Sequence, residues 1–213
     1  MAINKKKASP IVKIGIIAVS ALIVLSFLPW ASLGLLTANS GSGQTGGQLE
    51  TIAAGYTGSV SAFEQSLASD PTSYTVLVNL GNTYFDWGIE IKQAKIAGAD
   101  KPVWLSATLY YDRALALQPG DPAVSTDAAI AHYYSGDTAK AIELVEPIMT
   151  DAPTFAPAFF NAALFYDTAG LTTEAAAAAN TYIALDPSGN SGDPELAKSI
   201  AAKGSGVVPT STP

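Results

Sequence analysis

Three prolines, Pro119, Pro153 and Pro187, stand 34 residues apart, and Pro71 precedes them by 48, the same step lengthened by 14. Inside each interval one pattern of side chains returns in phase. The first carries Leu77, Leu80, Gly81 and Tyr84, then Ala107 and Tyr111. The second carries Ser125, Ala128, Ala129 and His132, then Ala141 and Val145. The third carries Phe159, Ala162, Ala163 and Tyr166, then Ala175 and Ala179. A step of this length, kept through three units, makes each unit one supersecondary motif that buries its apolar face only against its neighbours. Apolar residues recur at spacings of three and four, the helical period, and no alternating strand pattern competes. Each unit is therefore expected to form two helices. Gly81, Ala129 and Ala163 on one helix, and Ala107, Ala141 and Ala175 on the next, let the backbones approach; Tyr84, Tyr111, Val145 and Tyr166 are expected to fill the space between units. Asp121-Pro122, Asp137 and Thr172 read as N-caps, and Gly98, Gly136 and Gly170 as terminators.

On these residues, from about 72 to 187, the chain resembles the tetratricopeptide repeat family. Leu80-Gly81-Asn82-Thr83-Tyr84-Phe85-Asp86-Trp87-Gly88 is a close match; the second unit departs at Ser125, Ala128 and His132 and is carried by its phase. The resemblance implies an all-α, right-handed superhelical solenoid of about three helix pairs with flanking helices: an extended repeat at 72–119, then repeats at 120–153 and 154–187. It also implies an inner groove, lined by the first helix of each pair, that binds peptides. The groove positions would include Asn79, Asn82 and Phe85; Asp127, Ile130, Tyr133 and Tyr134; and Phe160, Asn161 and Leu164, with Val78, Asp86, Thr126 and Asp167 beside them. Aromatic rings offer contact area and asparagine can both donate and accept toward an extended backbone. Family members that clamp a C-terminal carboxylate use lysine and arginine where this chain has Val78, Pro157 and Asn161, with only Asn82 retained. With no cation to meet a carboxylate, an acidic groove is expected to favour neutral, apolar or basic segments.

The flanks extend the pattern. Residues 48–70 read as an incomplete first unit, a helix with Ile52, Tyr56, Val60, Phe63 and Leu67 on one face. Residues 193–203 read as a capping helix, with Leu196 and Ile200 inward and Lys198 and Lys203 outward, closing an end that would otherwise leave apolar surface wet. The insertion between Gly88 and Ala107 is read as two helices each lengthened by about two turns, a projecting hairpin across which Trp87 and Trp104 pack; residues 89–106 are either a brace or a second docking surface. The tail at 204–213 is uncommitted.

Charge separates the N-terminus from the rest. Residues 1–13 hold Lys5, Lys6, Lys7 and Lys13, whereas all eighteen acidic residues lie at or beyond Glu50, giving that portion a net charge of −11. Between them runs the uncharged stretch Ile14–Leu36, with Trp30 toward its far end. As a helix it would reach about 34 Å, enough for a hydrocarbon core of about 30 Å. The lysines favour a cytoplasmic N-terminus, so the expected topology is single-pass, with residues 14–36 as a signal anchor and the repeats extracytoplasmic. A cleaved signal peptide ending near Ala38-Asn39-Ser40 is the alternative and would secrete the domain. Residues 37–47, rich in Gly and Ser, read as a flexible linker.

Little in the sequence suggests reaction chemistry. The chain has no cysteine and one histidine, which excludes disulfides, thiol catalysis and cysteine-ligated metal. His132 occupies a packing position in the second repeat. Asp186 to Asp193 has the outline of a calcium loop but lacks the glycine at the sixth place and the glutamate at the twelfth, so it reads as a turn and cap. The alanines 175–179 are packing residues. No catalytic residue, cofactor or metal is expected, and the acidic balance disfavours nucleic acid. The expected function is a membrane-anchored adaptor or scaffold that binds a protein or peptide client, as an assembly or chaperone-like factor. The alternative is a structural accessory subunit of a stable complex or a homo-oligomer. Besides the client, the lipid bilayer is an expected partner through the N-terminal helix.

Overall fold

The computed structural model describes residues 43–204. Among these the chain forms eight α-helices and no strand: α1 (Gly43–Ser69), α2 (Tyr74–Gln93), α3 (Lys101–Leu117), α4 (Pro122–Ser135), α5 (Thr138–Asp151), α6 (Ala156–Thr168), α7 (Thr172–Leu185) and α8 (Pro194–Gly204). Helices α2 and α3, α4 and α5, and α6 and α7 pack as pairs. The second helix of each pair packs on the first helix of the next, and the first helices also meet, α2 on α4 and α4 on α6. Helix α8 closes the series against α7. This is the stepwise stacking expected from the 34-residue recurrence.

Side-chain size explains the close pairing. A Cβ on Gly81 would fall 2.5 Å from the Tyr111 ring, so α2 meets α3 where it has no side chain at all. Ala107, Ala129, Ala141, Ala163 and Ala175 occupy the equivalent positions and are fully buried. Around them lie Leu77, Leu80, Trp104, Tyr111, Val145, Phe165 and Tyr182. Removing an aliphatic side chain of this kind from water contributes about 1.5–3 kcal/mol. Helix α1 lays Ile52, Val60 and Leu67 inward, with Tyr56 and Phe63 beside them, and these meet Leu77, Leu80 and Ile91 of α2 and Val103 and Tyr110 of α3.

Helix ends match the sequence reading in part. The Asp121 carboxylate accepts from the N–H groups of Ala123 (2.9 Å) and Val124 (3.1 Å), and that of Asp137 from Lys140 N–H (3.0 Å). Gly136 ends α4 in the left-handed conformation at φ 102°. Thr172, however, is not a cap. Gly170 donates to the Asp167 carbonyl and Leu171 to the Tyr166 carbonyl, a Schellman closure that places Leu171 at the N-cap of α7 and Thr172 inside the helix. Nor does Gly98 stop α2, which ends at Gln93 with Ala94 as its cap.

Several expectations about the flanks are corrected as well. Helix α1 begins at Gly43, inside the segment read as linker. The insertion lengthens its two helices unequally: α2 has 20 residues and α3 has 17, against 14 in α4 and α5. Trp87 and Trp104 join different clusters, Trp87 toward α1 and Trp104 toward α4. On α8 it is Ala197, Ile200 and Ala201 that are buried, while Leu196 is 41% exposed. Among the described residues no helix is long and apolar enough to cross a membrane. The predicted span Ile14–Leu36 lies outside the described residues, as do residues 1–13 and the tail from 205 onward.

Candidate functional site

Because α2, α4 and α6 lie side by side, their equivalent positions form one face, and the predicted groove residues can be located on it. Phe85 of α2 meets the Trp104 ring edge-on at 5.2 Å. Trp104 meets Tyr134 at 4.9 Å, Tyr134 meets Tyr133 at 5.2 Å, and Tyr133 meets Phe165 at 4.9 Å. These five rings run without a break from α2 to α6. Phe85, Tyr133 and Tyr134 are half-buried, whereas Trp104 and Phe165 are fully covered and support them from beneath. Such contacts contribute about 0.5–1.5 kcal/mol each beyond simple burial. The Lys92 ammonium sits 4.4 Å above the Tyr134 ring, and the Tyr133 hydroxyl lies 2.9 Å from Thr168 Oγ1. Ile130 and Leu164, also half-buried, rest on the core beneath.

A polar cluster lies beside the rings. The Tyr111 hydroxyl donates to Asn82 Oδ1 at 2.7 Å, tying α3 to the exposed amide on α2. Asp127 of α4 is pushed up to about 6, first by burial and then by the negative charges of Asp86 and Asp121. Burial, with Asp127 and Asp86 nearby, raises Tyr111 as well. Asn79 is half-buried on the same helix as Asn82, and its carbonyl accepts from the Thr83 hydroxyl at 2.7 Å.

The third repeat contributes less open surface. The Phe160 ring meets Tyr182 at 5.0 Å and is closed over by the backbone of Gly192, where a Cβ would fall 2.5 Å from the ring. The Asn161 amide donates to the Pro157 carbonyl of its own helix at 2.8 Å. Asp167 is held by Lys203 of α8, whose ammonium reaches both carboxylate oxygens at 2.8 and 2.7 Å. Phe160 and Asn161 are thus set apart from the ring series by the molecule's own loop and local bonding. The covering loop is ordered by Asp186, whose oxygens accept from the backbone and side chains of Asn190 and Ser191 at 2.7–3.2 Å. Those bonds hold its carboxyl below the usual range, the Ser191 hydroxyl most of all. The segment is a turn, and among the described residues no group of side chains is arranged to hold a metal ion.

Sequence reasoning missed Trp104 as the ring on which the face is built. The available signal was Gly88: a Cβ there would fall 2.7 Å from the indole. It also missed the partner of His132. That side chain is buried, as a packing residue should be, yet its Nε2 lies 3.1 Å from Asp112 Oδ1 on α3. The structural resemblance is to MamA, a tetratricopeptide-containing protein. One crystal structure of MamA is 20% identical with a TM-score of 0.59, covering 71% of this chain and 80% of that one. A second is 19% identical with a TM-score of 0.59, covering 76% and 79%. A MamA RS-1 ArsTM double mutant is 14% identical with a TM-score of 0.52, covering 78% and 96%. At these identities the likeness is one of fold. No protein-family model matches the chain, and neither does any curated protein.

Proposed function

We propose that this protein is a membrane-anchored scaffold that presents its repeats outside the cytoplasm and holds a protein or peptide client on the face of α2, α4 and α6. The observation that carries the reading is the run of rings from Phe85 to Phe165, which leaves Tyr133 and Tyr134 half-buried on a rigid base. Amphipathic rings held in place bind at low entropic cost. Recognition by such a face suits an extended segment, whose side chains meet the rings while its backbone meets Asn79 and Asn82. The anchor rests on the sequence alone, on Lys5–Lys7 followed by uncharged Ile14–Leu36. The scaffold acts by binding, with no turnover of its own.

Two experiments test the halves separately. Benzoylphenylalanine placed at Ile130 in the full chain should crosslink a client in cells, whereas the same group at Glu143, exposed on a second helix, should not. Equal labelling from both positions, or from neither, would remove the docking face. Protease added to intact spheroplasts should digest the repeats and spare the N-terminus. Protection of the repeats would overturn the topology, and release of the domain from cells, abolished by deleting Ala38-Asn39-Ser40, would overturn the anchor in favour of a cleaved leader.

A further inference from the structure

First-helix carboxylates on the docking face are treated unequally. Asp167 is neutralised by Lys203, but Asp86 and Asp127, one repeat apart on α2 and α4, have no cation or hydrogen-bond donor among the described residues. Cations flanking them in sequence are engaged elsewhere: Lys92 lies over the Tyr134 ring, Arg113 donates to the Pro71 carbonyl at 3.2 Å, and Lys140 pairs with Glu143 at 2.7 Å. The two carboxylates repel each other, and Asp121 adds to the field. Half-buried Phe85 and Ile130 flank them on the same helices. An uncompensated negative pair bordered by apolar side chains complements a group that is cationic at its tip and aliphatic along its stem. A neutral segment would leave the pair unmatched, and an acidic one would be repelled.

We infer that the face between α2 and α4 takes a lysine or arginine side chain of an extended partner segment, its charge set between Asp86 and Asp127 and its stem against Phe85 and Ile130. This rests on the reading that the face binds peptides and names the class it takes. The cleft of about 360 Å³ bordered by Leu115, Pro147 and Ile148 also carries Glu143 and Asp151, but Lys140 meets Glu143 at 2.7 Å, which leaves one exposed carboxylate there rather than an uncompensated pair.

Selection of displayed random peptides on the full chain in detergent tests it, keeping only sequences that crosslink to benzoylphenylalanine at Ile130. The sequences kept should be enriched in one lysine or arginine. Replacing that residue by norleucine should weaken binding about tenfold or more. The double variant Asp86→Asn, Asp127→Asn should lose a similar factor, and on it the norleucine change should cost nothing further. Asparagine keeps the shape and removes the repulsion, so folding is retained; circular dichroism confirms it, and each single variant provides a second comparison. Inner-face peptides without basic enrichment, or with affinity untouched by the asparagines, would overturn this inference and leave the peptide-binding reading standing. A selection returning no peptide crosslinked at Ile130 would remove both.

Discussion

The Trp104 indole lies against the backbone of Gly88, so closely that a Cβ added there would sit 2.7–2.9 Å from three ring atoms. Trp104 is fully buried, with Phe85 on one side and Tyr134 on another, and has nowhere to move. Gly88→Ala should therefore destabilise by about 1–3 kcal/mol through overpacking, although alanine is the better helix former. Denaturant melts check this, and an unchanged midpoint would show that the indole shifts freely.

Glycines elsewhere should behave in the opposite way. Gly55 and Gly58 lie inside α1 with nothing within 4 Å of the position of an added Cβ. Either change to Ala should stabilise by about 0.4–1 kcal/mol, chiefly by narrowing the unfolded ensemble. A lower melting temperature for both would mean that α1 meets a partner there.

Capping offers a matched pair. Asp121→Ala removes a side chain that serves two N–H groups and should cost about 1 kcal/mol. Thr172→Ala, at a position that resembles a cap in sequence but lies inside α7, should fall within about 0.5 kcal/mol of the parent. Equal losses would contradict the Schellman closure at Gly170 and Leu171.

Two carboxylates give opposite pH dependences. Asp127 is raised from 3.8 to about 6, so the folded state holds its proton more tightly than the unfolded chain does. Its ionisation lowers stability as pH rises from about 4 to 6, and the loss persists above that. Asp127→Asn should then stabilise at pH 8 by an amount on the order of 1–3 kcal/mol and make little difference near pH 3. Asp186 is lowered; its contribution is present above pH 4 and lost as pH falls through the depressed value. Thermal melts between pH 3 and 8 check both. An Asp127→Asn variant that melts below the parent at pH 8 would remove the assigned burial.

The repeat was legible because its signal is steric and local. Positions such as Gly81, Ala129 and Ala163 admit only small residues where two helices touch, so the spacing of those residues records the packing. The candidate face could be located for the same reason, since phase fixes which positions α2, α4 and α6 present side by side. Contacts between distant segments lay beyond that logic. Nothing in the sequence around Phe160 indicates that Gly192, more than thirty residues on, covers its ring. Leu196 looked inward because it is apolar, yet on a short helix one residue of register decides the face, and Ala197 occupies it. At Thr172 two local rules competed, and the closure from α6 determined where α7 begins.

Helix α1 is rich in glycine, a poor helix former, and it is tied to the repeats by a column of near-parallel rings. Tyr56 lies 5.7 Å from Trp87, Trp87 lies 5.9 Å from Tyr84, and Tyr84 lies 5.6 Å from Tyr110, with Tyr56 and Tyr110 fastened to Glu90 and Glu64. Its order is borrowed from that adhesion rather than held in its own backbone. Under tension from the preceding chain, α1 would peel before any repeat yielded, and the apolar flank of α2, with Leu80 and Ile91, would be the first surface laid bare.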